Sequence, residues 1–364
     1  MGGAKHLLPA KKAEYIVVMK RFLVILAALA VVLPACETNE EIDKPCNHSW
    51  VDGVCGTCGE ECQHSWENGV CTVCGKDQRY IDATAMSAEE LGTAMREMLA
   101  SGITKITVNL VEEPTDEMYK ALRRALIETS EVEDGSIDLT IQGAKVVGEE
   151  AFGYHADGNN EYVSELRSIT LTDATIIKDS AFYACDNLIS FSAPNVTEME
   201  NIVFVGCENL KDVYLPNLRE MGNSAFRQCY ALEKIALPEL TTLTNSAFGA
   251  CIDLKVVNLP KVSRVMDCAL EECLSLERVT FGTPIVTLVD PFMIHGANES
   301  DMMYIADALR RTTLVLSAEQ TEMVLVREAI DYSPAVWGRG TNTFPFGSST
   351  TFIGYEFKSI TAAE

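Results

Sequence analysis

Five cysteines, Cys185, Cys207, Cys229, Cys251 and Cys273, stand 22 residues apart in this 364-residue chain. Leu166, Leu188, Leu210, Leu232, Leu254 and Leu276 keep the same step, as do Ile169, Phe191, Val213, Ile235, Val257 and Val279. Phe182, Phe204, Phe226 and Phe248 form another column, which Leu270 completes. The unit reads L-x-x-[IV]-x-L-P-x-[LV]-x-x-[ML]-x-x-x-A-F-x-x-C-x-x. A fixed period in the twenties argues against a globule built on one core. Each unit has a greasy side that it cannot cover, and stacking on its neighbours buries that side.

Within a unit, Leu210-x-x-Val213-x-Leu215 reads as a strand that Pro216 closes. Leu218 and Met221 turn back toward the core, and Ala225, Phe226 and Cys229 line the opposite wall. Six full turns start near Ser136, Leu166, Leu188, Leu210, Leu232 and Leu254, and a degenerate seventh runs from Leu276 to about Leu288. The first turn carries eight extra residues between Phe152 and Leu166, expected as a surface loop. Asp157, Asn159 and Glu161 there lack the spacing of an EF-hand, so calcium is a weak reading.

The Leu-Pro after each strand and the Ala-Phe-x-x-Cys of each return resemble the Treponema pallidum type of leucine-rich repeat found in BspA-like bacterial surface proteins, over residues 136–290. The resemblance implies an α/β solenoid, a right-handed superhelix of six to seven turns, on a secreted or surface-attached protein that adheres to host proteins or other cells. Cys268 and Leu270, where other repeats have Ser and Phe, and Thr283-Pro284-Ile285 after Phe281 depart from the pattern and suggest that the solenoid ends there.

Equivalent positions in stacked turns lie about 4.8 Å apart, within disulfide range, but their Cβ atoms point the same way and five in a column cannot all pair. Buried free thiols acting as small apolar fillers are expected, with Cys268 a packing residue. The outward face of the strand ladder presents two columns: Ser168, Ser190, Asp212, Lys234, Val256, Arg278, and Thr170, Ser192, Tyr214, Ala236, Asn258, Thr280. Asp212, Tyr214, Lys234, Asn258 and Arg278 are the candidate ligand contacts. Seven strands give a face of about 400 Å², half the usual 800 Å² or so per partner, so tight binding needs the flanks or caps.

Upstream, Phe22–Leu33 is a run of 12 apolar residues, too short to span a bilayer, preceded by Lys20-Arg21 and followed by Leu33-Pro34-Ala35-Cys36. The layout is that of a secretory leader, and the small residue before cysteine resembles a lipobox. Residues 1–35 read as a lipoprotein signal peptide, with Met19 a plausible start, and Cys36 as the lipidated residue. Residues 36–45 read as an acidic tether. It resembles the surface-export signal of some Gram-negative anaerobes, which implies a surface-exposed outer-membrane lipoprotein. Loss of the leader takes the net charge from −24 to −28, because five basic residues and Glu14 leave with it. Such acidity argues against nucleic acid and against adhesion of the folded surface to anionic lipid.

Residues 46–59 (CNHSWVDGVCGTCG) and 62–75 (CQHSWENGVCTVCG) repeat at an offset of 16. Each copy holds three cysteines and one histidine, one closed tetrahedral zinc shell: Cys46, His48, Cys55 and Cys58, then Cys62, His64, Cys71 and Cys74. Asp52-Gly53 and Asn68-Gly69 are hairpin turns, and the first places Trp50 opposite Cys55. Zinc explains both the repeated histidines and the Cys-x-x-Cys-Gly turns. Disulfides, formed in an oxidising compartment, remain the rival reading.

Residues 76–135 read as an α/β cap: a helix over 87–101 opened by a Ser87/Glu90 capping box, a strand over Ile103–Val111, and a helix over 115–129 with Met118, Leu122, Ala125 and Leu126 inward. The tail, 289–364, loses the period and reads as a C-terminal cap, with helix at Ser300–Arg311, strand at Thr312–Ser317 and helix again at Glu319–Tyr332. Catalysis has little support. His48 and His64 fit zinc, and His155 and His295 sit in no nucleophile motif. The chain thus reads as a non-enzymatic surface lipoprotein that binds an extracellular protein or glycan. The alternative is a structural or accessory component of a cell-envelope assembly.

Overall fold

The computed structural model describes residues 77–128, 133–156, 159–288, 291–292, 299–317 and 355–363, with short strands at 50–51, 54–55, 66–67, 70–71, 322–325, 341–343 and 351–352. Two compact units divide at residues 61 and 62. In the first, Trp50–Val51 pairs antiparallel with Val54–Cys55 and sets Trp50 opposite Cys55, as the Asp-Gly turn predicts. In the second unit, Trp66–Glu67 and Val70–Cys71 form the same pairing, with Trp66 opposite Cys71.

The rest of the second unit is a stack of turns. The opening β-α-β-α-β segment begins it. Tyr80–Asp82, Lys105–Asn109 and Ile137–Gln142 pair in parallel. Between them run α1 (Ala88–Ala100) and α2 (Asp116–Ile127). Ser87 caps α1, accepting from the Glu90 amide while the Glu90 side chain accepts from the Ser87 amide. Thr115 caps α2. Leu91, Met95 and Leu99 of α1 and Met118, Leu122, Ala125 and Leu126 of α2 are buried together. The strand at Tyr80–Asp82 carried no sequence signal, being three residues long. The cap strands extend the main sheet, so the cap covers the first repeat by continuing its ladder.

From Ile137 the chain coils. Each turn contributes a strand to the main ladder (Leu166–Leu171, Ser190–Ser192, Asp212–Tyr214, Lys234–Ala236, Val256–Asn258, Arg278–Thr280) and a two-residue strand to a second ladder (Ile176–Ile177, Glu198–Met199, Glu220–Met221, Thr242–Leu243, Arg264–Val265, Thr287–Leu288). Pairing is parallel, with partners 22 residues apart, for example Phe191 with Val213 and Val257 with Val279, or 23 apart for Arg264 with Thr287; Asp212–Tyr214 does not pair with Lys234–Ala236, nor Glu220–Met221 with Thr242–Leu243. Leu188, Leu210, Leu232 and Leu254 are fully buried.

The third wall has no regular strand. Its backbone takes left-handed dihedrals at two positions per turn. One column is Ser180, Ile202, Ser224, Ser246 and Cys268; the other is Ala184, Gly206, Gln228, Ala250 and Glu272. A left-handed residue other than glycine costs roughly 1–2 kcal/mol, and only Gly206 avoids that cost. The conformation turns alternate amides along the stack. Ser224 donates to Asn245 O, Phe226 to Ala247 O and Gln228 to Gly249 O, at 2.8–2.9 Å. Strain within each turn is thereby offset by bonds between turns. Cys268, read from sequence as a packing residue, is buried but also occupies one of these left-handed positions.

Two parts of the sequence reading need correction. The extra residues of the first turn, expected as a surface loop, include paired strands: Gly153–Ala156 runs antiparallel to Asn159–Tyr162. The stack also does not stop near residue 288. Thr313–Leu316 pairs in parallel with Arg278–Thr280, and Ser359–Ala362 pairs in turn with it. Glu322–Leu325, expected as helix, is a strand paired with Thr287–Leu288. An insertion that includes α3 (Glu299–Leu309) breaks the 22-residue period without ending the ladders. Open ladder edges recruit the next segment able to pair, whatever its distance in sequence.

Candidate ligand face and the walls behind it

The outward residues of the main ladder line up as their 22-residue spacing requires. Ser168, Ser190 and Asp212 are partners, as are Thr170, Ser192 and Tyr214; Lys234, Val256 and Arg278 follow, and Ala236, Asn258 and Thr280. All five candidate contacts, Asp212, Tyr214, Lys234, Asn258 and Arg278, are exposed, Tyr214 by 58%. The amino-terminal end of the face is occupied by its own contacts. Ser168 Oγ donates to Asp138 Oδ1 at 2.6 Å, and Arg167 grips the same carboxylate through both Nε and Nη2. Burial raises the Asp138 pKa, but these donors outweigh it and hold the carboxyl below its ordinary value. The carboxy-terminal half therefore holds the accessible charge and the exposed tyrosine ring. Lys255 and Glu233 flank it with a half-exposed ion pair at 3.1 Å.

Behind this face the cysteines do more than fill space. Each Sγ donates to the carbonyl of a phenylalanine in the preceding turn: Cys207 to Phe182 O, Cys229 to Phe204 O, Cys251 to Phe226 O and Cys273 to Phe248 O, at 3.1–3.2 Å. Cys185 reaches Phe152 O at 3.7 Å. A sulfhydryl is small enough for the column and still carries a donor, which alanine lacks. All five are buried free thiols, as expected, and Cys268 is likewise buried and outside any disulfide. Burial pushes the thiols of Cys185 and Cys251 up to about 12, which keeps them protonated and unreactive. The rings of Phe152, Phe182, Phe204, Phe226 and Phe248 stack face to face at 5.1–5.5 Å.

Polar spines tie the turns together as well. Asn223 N donates to Asn201 Oδ1 and Asn245 N to Asn223 Oδ1, while Asn201 N donates to Asp179 Oδ1. Asparagine at this slot is the visible signal that the sequence reading missed. At the edge between the first turns, Glu165 is only 8% exposed, and its Oε2 meets no hydrogen-bond donor among the described residues. Burial raises its pKa, and the nearby Asp134 and Asp186 charges add to the rise.

Among the described residues, no group of histidine, cysteine or carboxylate side chains is placed to hold a metal ion. Of the candidate zinc ligands, Cys55 and Cys71 lie in the described short strands, and Cys46, His48, Cys58, Cys62, His64 and Cys74 lie outside the described residues, as do Cys36 and the leader. Among the described residues, no helix is long and apolar enough to cross a membrane.

Residues 161–290 match the family model described as the BspA type leucine rich repeat region, in six copies. Among solved structures, a leucine-rich cell surface protein from Faecalibacterium prausnitzii A2-165 is similar at 17% identity and a TM-score of 0.29, covering 50% of this chain and 46% of that one. A leucine-rich repeat protein from Bacteroides ovatus ATCC 8483 is similar at 17% identity and a TM-score of 0.36, covering 62% and 54%. The chain thus spans about half the length of each. No curated protein is a significant match. The matched segment 161–290 covers the repeat strands from Leu166 to Thr280, the rings from Phe182 to Phe248 and the cysteine column, and it is similar to a leucine-rich repeat region of the BspA type.

Proposed function

We propose that the chain is a cell-surface binding scaffold, with the outward strand face from Asp212 to Arg278 as its contact surface for an extracellular protein or glycan. The observation that carries this is the exposure of Asp212, Tyr214, Lys234, Asn258 and Arg278 at outward strand positions of four successive turns. A rigid aromatic ring among mixed charges is the composition of an interface centre. The expected face of about 400 Å² makes the partner a weak one unless the flanks contribute.

The same reading places the protein at the cell envelope, held by acyl chains at Cys36. The two Cys3His copies are zinc modules in this proposal. The antiparallel register at Trp50–Cys55 and Trp66–Cys71 supports it, because both copies form the same hairpin pairing with one candidate ligand cysteine at its end. No catalytic role is assigned.

The test is a protein and glycan array probed with the mature chain, alongside a Tyr214→Ala, Arg278→Glu variant. Specific hits that persist at high salt and weaken at least tenfold in the variant support the binding reading. A complete lack of hits favours the structural envelope component. Hits that the variant leaves unchanged move the contact surface elsewhere.

A further inference from the structure

We infer that the stack is hinged in its middle, between the turn that begins at Leu210 and the turn that begins at Leu232. Both strand ladders break there. The main sheet runs from Tyr80–Asp82 to Asp212–Tyr214 and ends; a second sheet starts at Lys234–Ala236. The other ladder ends at Glu220–Met221 and restarts at Thr242–Leu243. The flanking junctions show what has been lost. Lys211 N donates to Ile189 O, Lys255 N to Glu233 O and Glu277 N to Lys255 O, all at 2.8–2.9 Å. The corresponding bond from Glu233 to Lys211 is missing from this series. On the second ladder, Arg219 N donates to Thr197 O and Ser263 N to Thr241 O, without a Thr241-to-Arg219 counterpart.

The core shows the same gap. In the inward column of the main ladder, Ile169, Phe191, Ile235, Val257 and Val279 are at most 3% exposed. Val213, at the break, is only partly buried. On the same turn, Gly222 packs against the preceding turn so closely that a Cβ would lie 2.4 Å from Glu200 C. That contact seats the Leu210 turn on its amino-terminal neighbour, while toward the next turn the Gly222 carbonyl keeps a side-chain bond from Thr244 in place of strand pairing.

The third wall does not open. Ser224, Phe226 and Gln228 all donate to the next turn, Cys251 Sγ donates to Phe226 O at 3.1 Å, and Phe226 stacks on Phe248 at 5.5 Å. The corners beside this wall hold too: Thr244 Oγ1 donates to Gly222 O at 2.7 Å, Asn245 N to Asn223 Oδ1 at 3.2 Å and Asp253 N to Tyr230 O at 3.3 Å. Two strand ladders unpaired, with one wall and its corners held, is the geometry of a hinge whose axis is the phenylalanine and cysteine wall. Motion about that axis changes the separation of Asp212 and Tyr214 from Lys234 and Ala236. A partner that spans the seam would select one opening angle.

Hydrogen exchange of the full chain, read by mass spectrometry, tests this. Amides of residues 213–215 and 233–236 should exchange at least tenfold faster than those of 191–193 and 255–258, while the amides of Ser224, Phe226 and Gln228 stay as slow as their 22-residue equivalents. Equal protection at the seam and the flanking junctions would overturn the hinge. Fast exchange of the third wall together with the seam would overturn it too, since that pattern marks local unfolding of a whole turn.

Discussion

Replacing Phe226 with alanine removes the centre of the shared core. The ring is fully buried and stacks on Phe204 at 5.1 Å and on Phe248 at 5.5 Å, nearly parallel to both. Truncating a buried phenylalanine costs about 3–5 kcal/mol, depending on how far the site collapses. Each lost stacking contact adds about 0.5–1.5 kcal/mol beyond area burial. Collapse is resisted here, because Phe226 N is bonded to Ala247 O, its carbonyl to Cys251 Sγ, and Ala225 O to Phe204 N. The expected loss therefore lies at the upper end, about 4–5 kcal/mol. Urea unfolding of the full chain measures it as a fall in midpoint, checked for an unchanged slope. Tyr214→Ala, on the exposed face of the same turn, serves as the control and should stay within about 0.5 kcal/mol of the parent. A loss below about 1 kcal/mol for Phe226→Ala would refute the argument, because a ring shared by three turns cannot be removed at so little cost.

Three other outcomes follow from the described chemistry. Glu165 has its folded pKa raised above the ordinary 4.5 by burial and by Asp134 and Asp186, so the folded chain holds its proton longer than the unfolded one. Stability should then fall as pH rises from about 4.5 through the folded pKa, and Glu165→Gln should flatten that slope and stabilise the protein at pH 7; an unchanged pH profile would contradict this. Cys185, Cys207, Cys229, Cys251, Cys268 and Cys273 should resist a thiol reagent at pH 8 in the folded protein and all titrate in urea without reductant, whereas no reaction in urea would mean that they are paired. Metal analysis of soluble protein from Glu37 onward should find two zinc ions per chain, removed by chelator, and fewer than one would return residues 46–74 to the disulfide reading.

The solenoid was legible because its signal is redundant: six leucines, six strand residues and five cysteines repeat one step, and the ladder register obeys it. The outward columns followed from the same period and the alternation of a strand. What the sequence concealed was the backbone of the third wall. Left-handed dihedrals normally announce themselves as glycine or asparagine, and here every position but Gly206 holds Ser, Ala, Ile, Gln, Cys or Glu, tolerated because the amides they orient bond to the next turn. The donor role of the cysteines was hidden too, since a conformation-dependent bond to a carbonyl leaves no trace in spacing. The late strands were missed because pairing across the insertion around α3 is decided by an open ladder edge, which no local pattern in Glu322–Leu325 reveals. The break between the Leu210 and Leu232 turns leaves the 22-residue spacing of the sequence unchanged, so it is visible only in three dimensions.

The central claim is that residues 22 apart are lateral neighbours in parallel strands. Cysteine pairs at Ser190 with Asp212 and at Val256 with Arg278, bridged by a dithiol-reactive reagent of about the 4.8 Å strand spacing and mapped by peptide mass spectrometry, test it directly. Both pairs should bridge efficiently, and Ser190 with Arg278 should not. Failure of the 22-residue pairs, or equal bridging of the distant pair, would contradict the stacked ladder on which the account rests.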